Sequence, residues 1–134
     1  MEKSLEKYMD HVDCPIRQIL DRFGDKWSIL VLCLLSHKGT LRFNQIASHI
    51  NDISQRMLTF TLRSLETDGL VSREIYPEVP PRVEYRLTPL GKSLVPYIEK
   101  LAEWAAQNMP EVMKNRKACD KIVNQEYDPE IEPV

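Results

Sequence analysis

Glycine is scarce in this 134-residue chain, with only four, which argues against a β-sandwich or barrel built on many tight turns. The three cysteines, Cys14, Cys33 and Cys119, are odd in number and show no CxxC spacing. A disulfide framework is therefore not expected, nor is structural zinc, which needs four well-spaced Cys or His ligands. His11, His37 and His49 are scattered, and there is no HExxH. GxGxxG, P-loop and GxSxG signatures are also missing, which removes the commonest phosphate cradles and nucleophile elbows. Long apolar runs are absent too. The longest, Ile29 to Leu35, has seven residues and is too short to span a bilayer. The N-terminus alternates charges with isolated apolar residues and has no signal-peptide core. The formal charge is only −2, so a general polyanion-coating protein is excluded while a local basic face is not. A cytoplasmic protein with no membrane partner, no metal and no cofactor is expected.

What is present reads as one folded domain of mainly helical character. With 43% hydrophobic and 28% charged residues, the chain has enough apolar material for a core. A short helix is expected over Ser4–Val12. Cys14-Pro15 opens a clearer one, with Ile16, Ile19, Leu20 and Phe23 on one stripe and Gly24 as a left-handed stop. The Ile29–Leu35 run is apolar on all sides and fits a buried strand as well, but Asp25 as a cap and Gly39 as a stop favour a central buried helix that also carries Trp27. Thr40 to Phe43 reads as an extended link, and Asn44 as the cap of a brief helix with Ile46, Ala47 and Ile50.

Ser54 then caps a longer helix that runs to about Thr67 and closes at Gly69. Leu58, Leu62 and Leu65 form its apolar face. The other side shows Gln55, Arg56, Thr59 and Arg63, with no acid between Asp52 and Glu66. In a net-acidic chain that is a local departure. Two alternating runs follow, Val71-Arg73-Ile75 and Val83-Tyr85-Leu87, joined by a link with three prolines and Arg82. Proline cannot donate to a sheet ladder, so the link reads as a hairpin tip stiffened towards polyproline II. Thr88-Pro89 starts a last helix with a broad apolar stripe from Leu94 to Val112.

Two helices joined by a short turn and followed by a hairpin make a winged helix-turn-helix, a mainly α fold with a small β-hairpin wing. In that arrangement the helix at 54–67 enters the major groove, and the wing at 77–82 reaches flanking backbone or minor groove. Arginine suits guanine edges because its fork bonds O6 and N7 together, and glutamine can pair adenine in the same way. A stiff wing would place Arg82 on phosphates at little ordering entropy. The competing reading of Arg82 is a pair with Glu78 or Glu84. One helix on so small a domain cannot hide Trp104 and the rest of its stripe, so a symmetric dimer is expected.

The stretches CPIRQILDRFGDKWSILVLCLL, LRFNQI, ISQRMLTFTLRSLETDGLV and YPEVPPRVEYRLTPLGKSL resemble the HxlR-type family of bacterial, MarR-related winged-helix transcriptional regulators. The resemblance implies a homodimer joined through its first and last helices and bound to double-stranded operator DNA. It implies DNA-facing roles for Ser54, Gln55, Arg56, Thr59, Arg63 and Arg82. Dimer contacts fall to Leu94, Ile98, Leu101, Trp104 and Ala105. Residues 1–125 are read as the DNA-binding domain with its dimerisation helices, and the acidic, proline-broken end at 126–134 as a disordered tail; neither that tail nor the first dozen residues are covered by the resemblance. Several members sense oxidants or electrophiles through a cysteine just before the first core helix, the place held by Cys14. There a helix N-terminus and Arg17 would favour the thiolate, while Asp13 opposes it. A small-molecule or oxidant effector fits this reading. The alternatives are a winged helix used as a protein-interaction module, and a small thiol enzyme using Cys14, for which no base is evident.

Overall fold

The computed structural model describes residues 14–126. The helix expected over Ser4–Val12, and the tail from Tyr127 onward, lie outside the described residues. The elements run α1 (Pro15–Arg22), α2 (Trp27–Lys38), β1 (Leu41–Arg42), α3 (Phe43–His49), α4 (Gln55–Thr67), β2 (Val71–Tyr76), β3 (Arg82–Leu87) and α5 (Pro89–Glu126). Five helices and a small antiparallel sheet make the winged helix-turn-helix that the order of elements implies.

Local chemistry accounts for most of the boundaries. Asp25 Oδ1 accepts from the Trp27 and Ser28 amides at 2.7 and 2.9 Å, so the expected cap holds the start of α2. The buried Ser28 hydroxyl is satisfied by the same carboxylate. Ser54 Oγ accepts from Met57 N–H at 3.1 Å and caps α4. Gly69, at φ 75°, closes α4 where only glycine is unstrained. Thr88 Oγ1 accepts from Gly91 N–H at 3.1 Å and starts α5.

Several expectations need correction. Gly24 is not left-handed, since positive φ among the described residues is confined to Gly39 and Gly69. Helix α1 ends at Arg22, with Phe23 N–H bonding Ile19 O at 2.9 Å. Asn44 lies inside α3, which begins at Phe43; Gln45 Oε1 accepts from Arg42 N–H at 2.8 Å and anchors that end. The link at Leu41-Arg42 is a strand. It pairs with Tyr85 and Glu84, so the hairpin belongs to a three-stranded sheet of order β1-β3-β2. On β2 only Val71 is buried, because the hairpin runs on past the core and leaves Arg73 and Ile75 exposed. The hairpin tip also contains a cis Val79–Pro80 peptide.

The described residues divide into two compact units, one ending at Ile98 and the other beginning at Glu99. The core belongs to the first. Trp27, Val31, Leu32 and Leu35 of α2 pack with Leu58, Leu62 and Leu65 of α4, closed by Val71, Tyr85 and Leu87 of the sheet. Val95 and Ile98 join this cluster, with Leu94 packed against it. Two of the residues expected at a dimer contact, Leu94 and Ile98, therefore pack on the unit's own core. The second unit holds the rest of α5, where Leu101 and Trp104 are 59% and 56% exposed and Ala105 is half-buried. Among the described residues no helix is long and apolar enough to cross a membrane.

Candidate nucleic-acid interface

Helix α4 is amphipathic because Leu58, Leu62 and Leu65 recur at helical spacing and bury against α2. That packing turns the remaining positions outward. Gln55, Arg56, Thr59, Phe60 and Arg63 line one shallow depression of about 470 Å³. The structure thus brings together four of the residues singled out from sequence with Phe60, whose position in the sequence fits either this face or packing on the preceding helix and which is 62% exposed.

Their hydrogen bonding sorts them by role. Ser54 commits its oxygen to the Met57 amide, so it acts first as a cap. Thr59 Oγ1 donates to Gln55 O at 2.9 Å, leaving its lone pairs and methyl to the outer face. Neither Arg56 nor Arg63 has an ion-pair partner among the described residues, although Arg22, Arg73, Arg82 and Arg86 all do.

The wing differs. Arg82 Nη1 lies 3.1 Å from Glu78 Oε1, and its Nε lies 3.2 Å from Glu84 Oε1, near enough for charge attraction but misaligned for a hydrogen bond. Its guanidinium also covers the Tyr76 ring at 4.2 Å. Both acids proposed from sequence as intramolecular partners of Arg82 therefore engage it. Hydrogen bonding to Glu74, with a smaller contribution from burial, raises the Tyr76 phenol above its ordinary range. Arg86, not singled out from sequence, joins this face, with Nε donating to Ser72 Oγ at 3.3 Å.

Cys14 sits immediately before α1, as expected, and is only 1% exposed. Cys33 is half-buried beside the core, and Cys119 is exposed. Among the described residues no group of three or more His, Cys, Asp or Glu could hold a metal ion.

The sequence model of the HxlR-like helix-turn-helix family matches residues 22–113, which spans α2 to α4, the wing and much of α5. The chain belongs to that family. An uncharacterised HTH-type transcriptional regulator of Methanothermobacter thermautotrophicus is 53% identical over 95 residues, covering 71% of this chain and 72% of that protein. Among solved structures, the regulator YtfH from Salmonella typhimurium superposes with a TM-score of 0.71 at 38% identity, covering 80% of this chain and 95% of its own. The redox regulator HypR in its reduced form gives 0.67 at 42% identity, covering 75% and 98%. This HxlR-like chain is thus a transcriptional regulator of the helix-turn-helix type and not an enzyme, which removes the thiol-enzyme alternative.

Proposed function

We propose that this HxlR-like regulator is a homodimer that binds operator DNA sequence-specifically through α4, with the wing on flanking backbone. The observation that carries the reading is the open cationic face of α4. Among the described residues Arg56 and Arg63 have no ion-pair partner, and they share one depression with Gln55 and Phe60 in a chain whose formal charge is −2. Gln55 and Arg56 occupy the first turn, nearest the base edges in this docking geometry. Arg63 lies two turns on, in reach of phosphate, and Arg82 serves the wing.

The dimer reading rests on exposed apolar residues of both terminal helices: Ile16, Ile19 and Leu20 on α1, and Tyr97, Leu101 and Trp104 on α5. Two-fold symmetry then makes the operator an imperfect palindrome with half-sites about 10–10.5 bp apart, or a multiple of that. The test is a titration of wild type and Ala variants against a selected operator and random DNA at several salt concentrations. Gln55→Ala or Arg56→Ala should cost ~1–3 kcal/mol on the operator and little on random DNA. Equal losses on both DNAs would reduce these residues to phosphate contacts.

Cys14 is the oxidant- or electrophile-responsive thiol in this reading, supported by its place before α1 and by the likeness to HypR. Cys14 is buried, so whatever covers it must move before a reagent reaches the sulfur. A quinone or mild oxidant should change DNA affinity in wild type and not in Cys14→Ser. An equal response in both would move the sensor elsewhere.

A further inference from the structure

Helix α4 presents its side chains to DNA, yet its buried face is held by aliphatic packing, which is not directional. Leucines alone fix depth well and rotation poorly. Reading base edges requires side chains placed within about 0.5 Å and 10–20°. The directional bonds that supply such control converge on the turn Asp68-Gly69-Leu70, just beyond the last residue of α4.

From one side comes α1. Arg22 Nε donates to Asp68 Oδ2 at 2.6 Å and Nη2 donates to Oδ1 at 3.0 Å, a two-pronged pair between residues 46 apart in sequence. A planar fork on a carboxylate constrains orientation as well as distance. From the other side comes the start of α5. Thr88 Oγ1 donates to Gly69 O at 2.5 Å, and Thr88 N–H donates to Leu70 O at 3.1 Å. A Cβ on Gly91 would overlap that same Leu70 oxygen, so α5 is seated directly on the turn. Leu70 itself is buried in the core.

We propose that this turn is the junction through which the terminal helices set the pose of α4, with Arg22 and Thr88 as positioning residues that touch no DNA. The proposal rests on the DNA-binding reading above and adds a regulatory route to it. Movement of α1, the helix that Cys14 precedes, is transmitted through Arg22 to the end of the reading helix and changes operator discrimination. No DNA-facing side chain need be altered.

The experiment uses the full chain and an operator selected from random oligonucleotides by the wild type. Binding to operator and random DNA is measured below the unfolding transition of each variant, for Arg22→Ala, Asp68→Ala, their double variant, and Arg22→Lys. Either single Ala change should weaken operator binding roughly 5–20-fold, and the double no more than either, because one link is cut once. Random DNA should change by less than about twofold, since phosphate contacts tolerate a rotated helix. Arg22→Lys keeps the charge but not the fork, and should restore only part of the discrimination. An unchanged operator-to-random ratio in folded Arg22→Ala overturns the proposal. If that variant melts below the assay temperature, an unchanged ratio in Arg22→Lys does so instead. Arg56→Ala separates the two levels: if it lowers the ratio while the Arg22 variants do not, only the junction fails. If it too leaves the ratio intact, the DNA reading of α4 fails with it.

Discussion

The outer face of α4 and the outer face of the wing each carry two arginines, and they treat them in opposite ways. On α4, Arg56 and Arg63 have no ion-pair partner among the described residues, and the nearest acid along the helix is Glu66. On the wing, strand register sets Glu74 directly opposite Glu84, a like-charge pair that destabilises a sheet unless cations intervene. Arg82 and Arg86 supply them, with Glu78 as a third acid. The lesson concerns availability. An arginine's value to a phosphate depends on what it must leave, and a count of cations would have ranked these two faces equal. The wing's arginines are engaged by the hairpin's own acids; those of α4 are left open.

The largest effect expected on this contrast comes from removing the second copy of α4. Trp104→Glu or Leu101→Glu puts a charge on an exposed apolar patch of α5 and should give monomers with one reading helix each. Losing the second helix removes the gain from linked binding, roughly 10²–10⁴ in affinity. Sedimentation or light scattering checks the state, and DNA titration the loss. A wild type that is already monomeric at micromolar concentration would sink the dimer and this estimate together.

A smaller effect should come from making the wing resemble α4. Glu78→Gln with Glu84→Gln frees Arg82 from two surface pairs, each worth ~0–1 kcal/mol. Affinity should rise roughly two- to fivefold on operator and random DNA alike, with a steeper salt dependence. Arg82→Ala in the wild type should weaken both DNAs by less than Arg56→Ala weakens the operator. It should also lower the salt slope by about one unit for each phosphate that Arg82 neutralises. Were Arg82→Ala to change base preference at constant salt slope, the wing would be reading sequence, and the contrast would invert.

The same contrast marks how far the sequence could be read. Apolar periodicity gives α4, the hairpin and the start of α5, because burial of one face imposes a period. Helix α2 is apolar on all sides and carries no such period; its cap Asp25 and stop Gly39 mark it, and Asp25, Ser54 and Thr88 are legible as caps because their oxygens can satisfy the unpaired N–H groups of a helix start. The cap assigned to Asn44 failed because Gln45 anchors α3 from inside the helix, a competition that composition does not decide. Strand β1 was missed because two residues carry no period, and only its partner Tyr85, 44 positions on, makes it a strand. At the candidate site, the outward set on α4 followed from its buried set. That Glu78 and Glu84 both engage Arg82 required coordinates. So did the Arg22–Asp68 pair, which joins residues that no local rule connects.

The smallest effect lies on the buried side of α4, at Thr61, and the helix's two other threonines, which are not buried, supply the comparison. Thr59 and Thr67 each donate to the carbonyl four residues back, at 2.9 and 2.8 Å. Thr61 is buried, and its Oγ1 has no hydrogen-bond partner among the described residues. A buried hydroxyl left unpaired costs about 1–3 kcal/mol, and replacing it by an apolar group of the same shape removes that cost. Valine has nearly the helix propensity of threonine, so Thr61→Val changes little else. Stability should rise by about 1 kcal/mol, seen as an increase in Tm of roughly 4 °C. Operator affinity should stay where it was, because the outer face of α4 is untouched. The matching change Thr59→Val removes a hydroxyl that is already bonded, on a half-buried position, and should not stabilise. Thermal unfolding of the two variants side by side decides the matter. A Thr61→Val protein less stable than wild type would mean that the hydroxyl has a partner in solution, and that the inner face of α4 is held by more than its leucines.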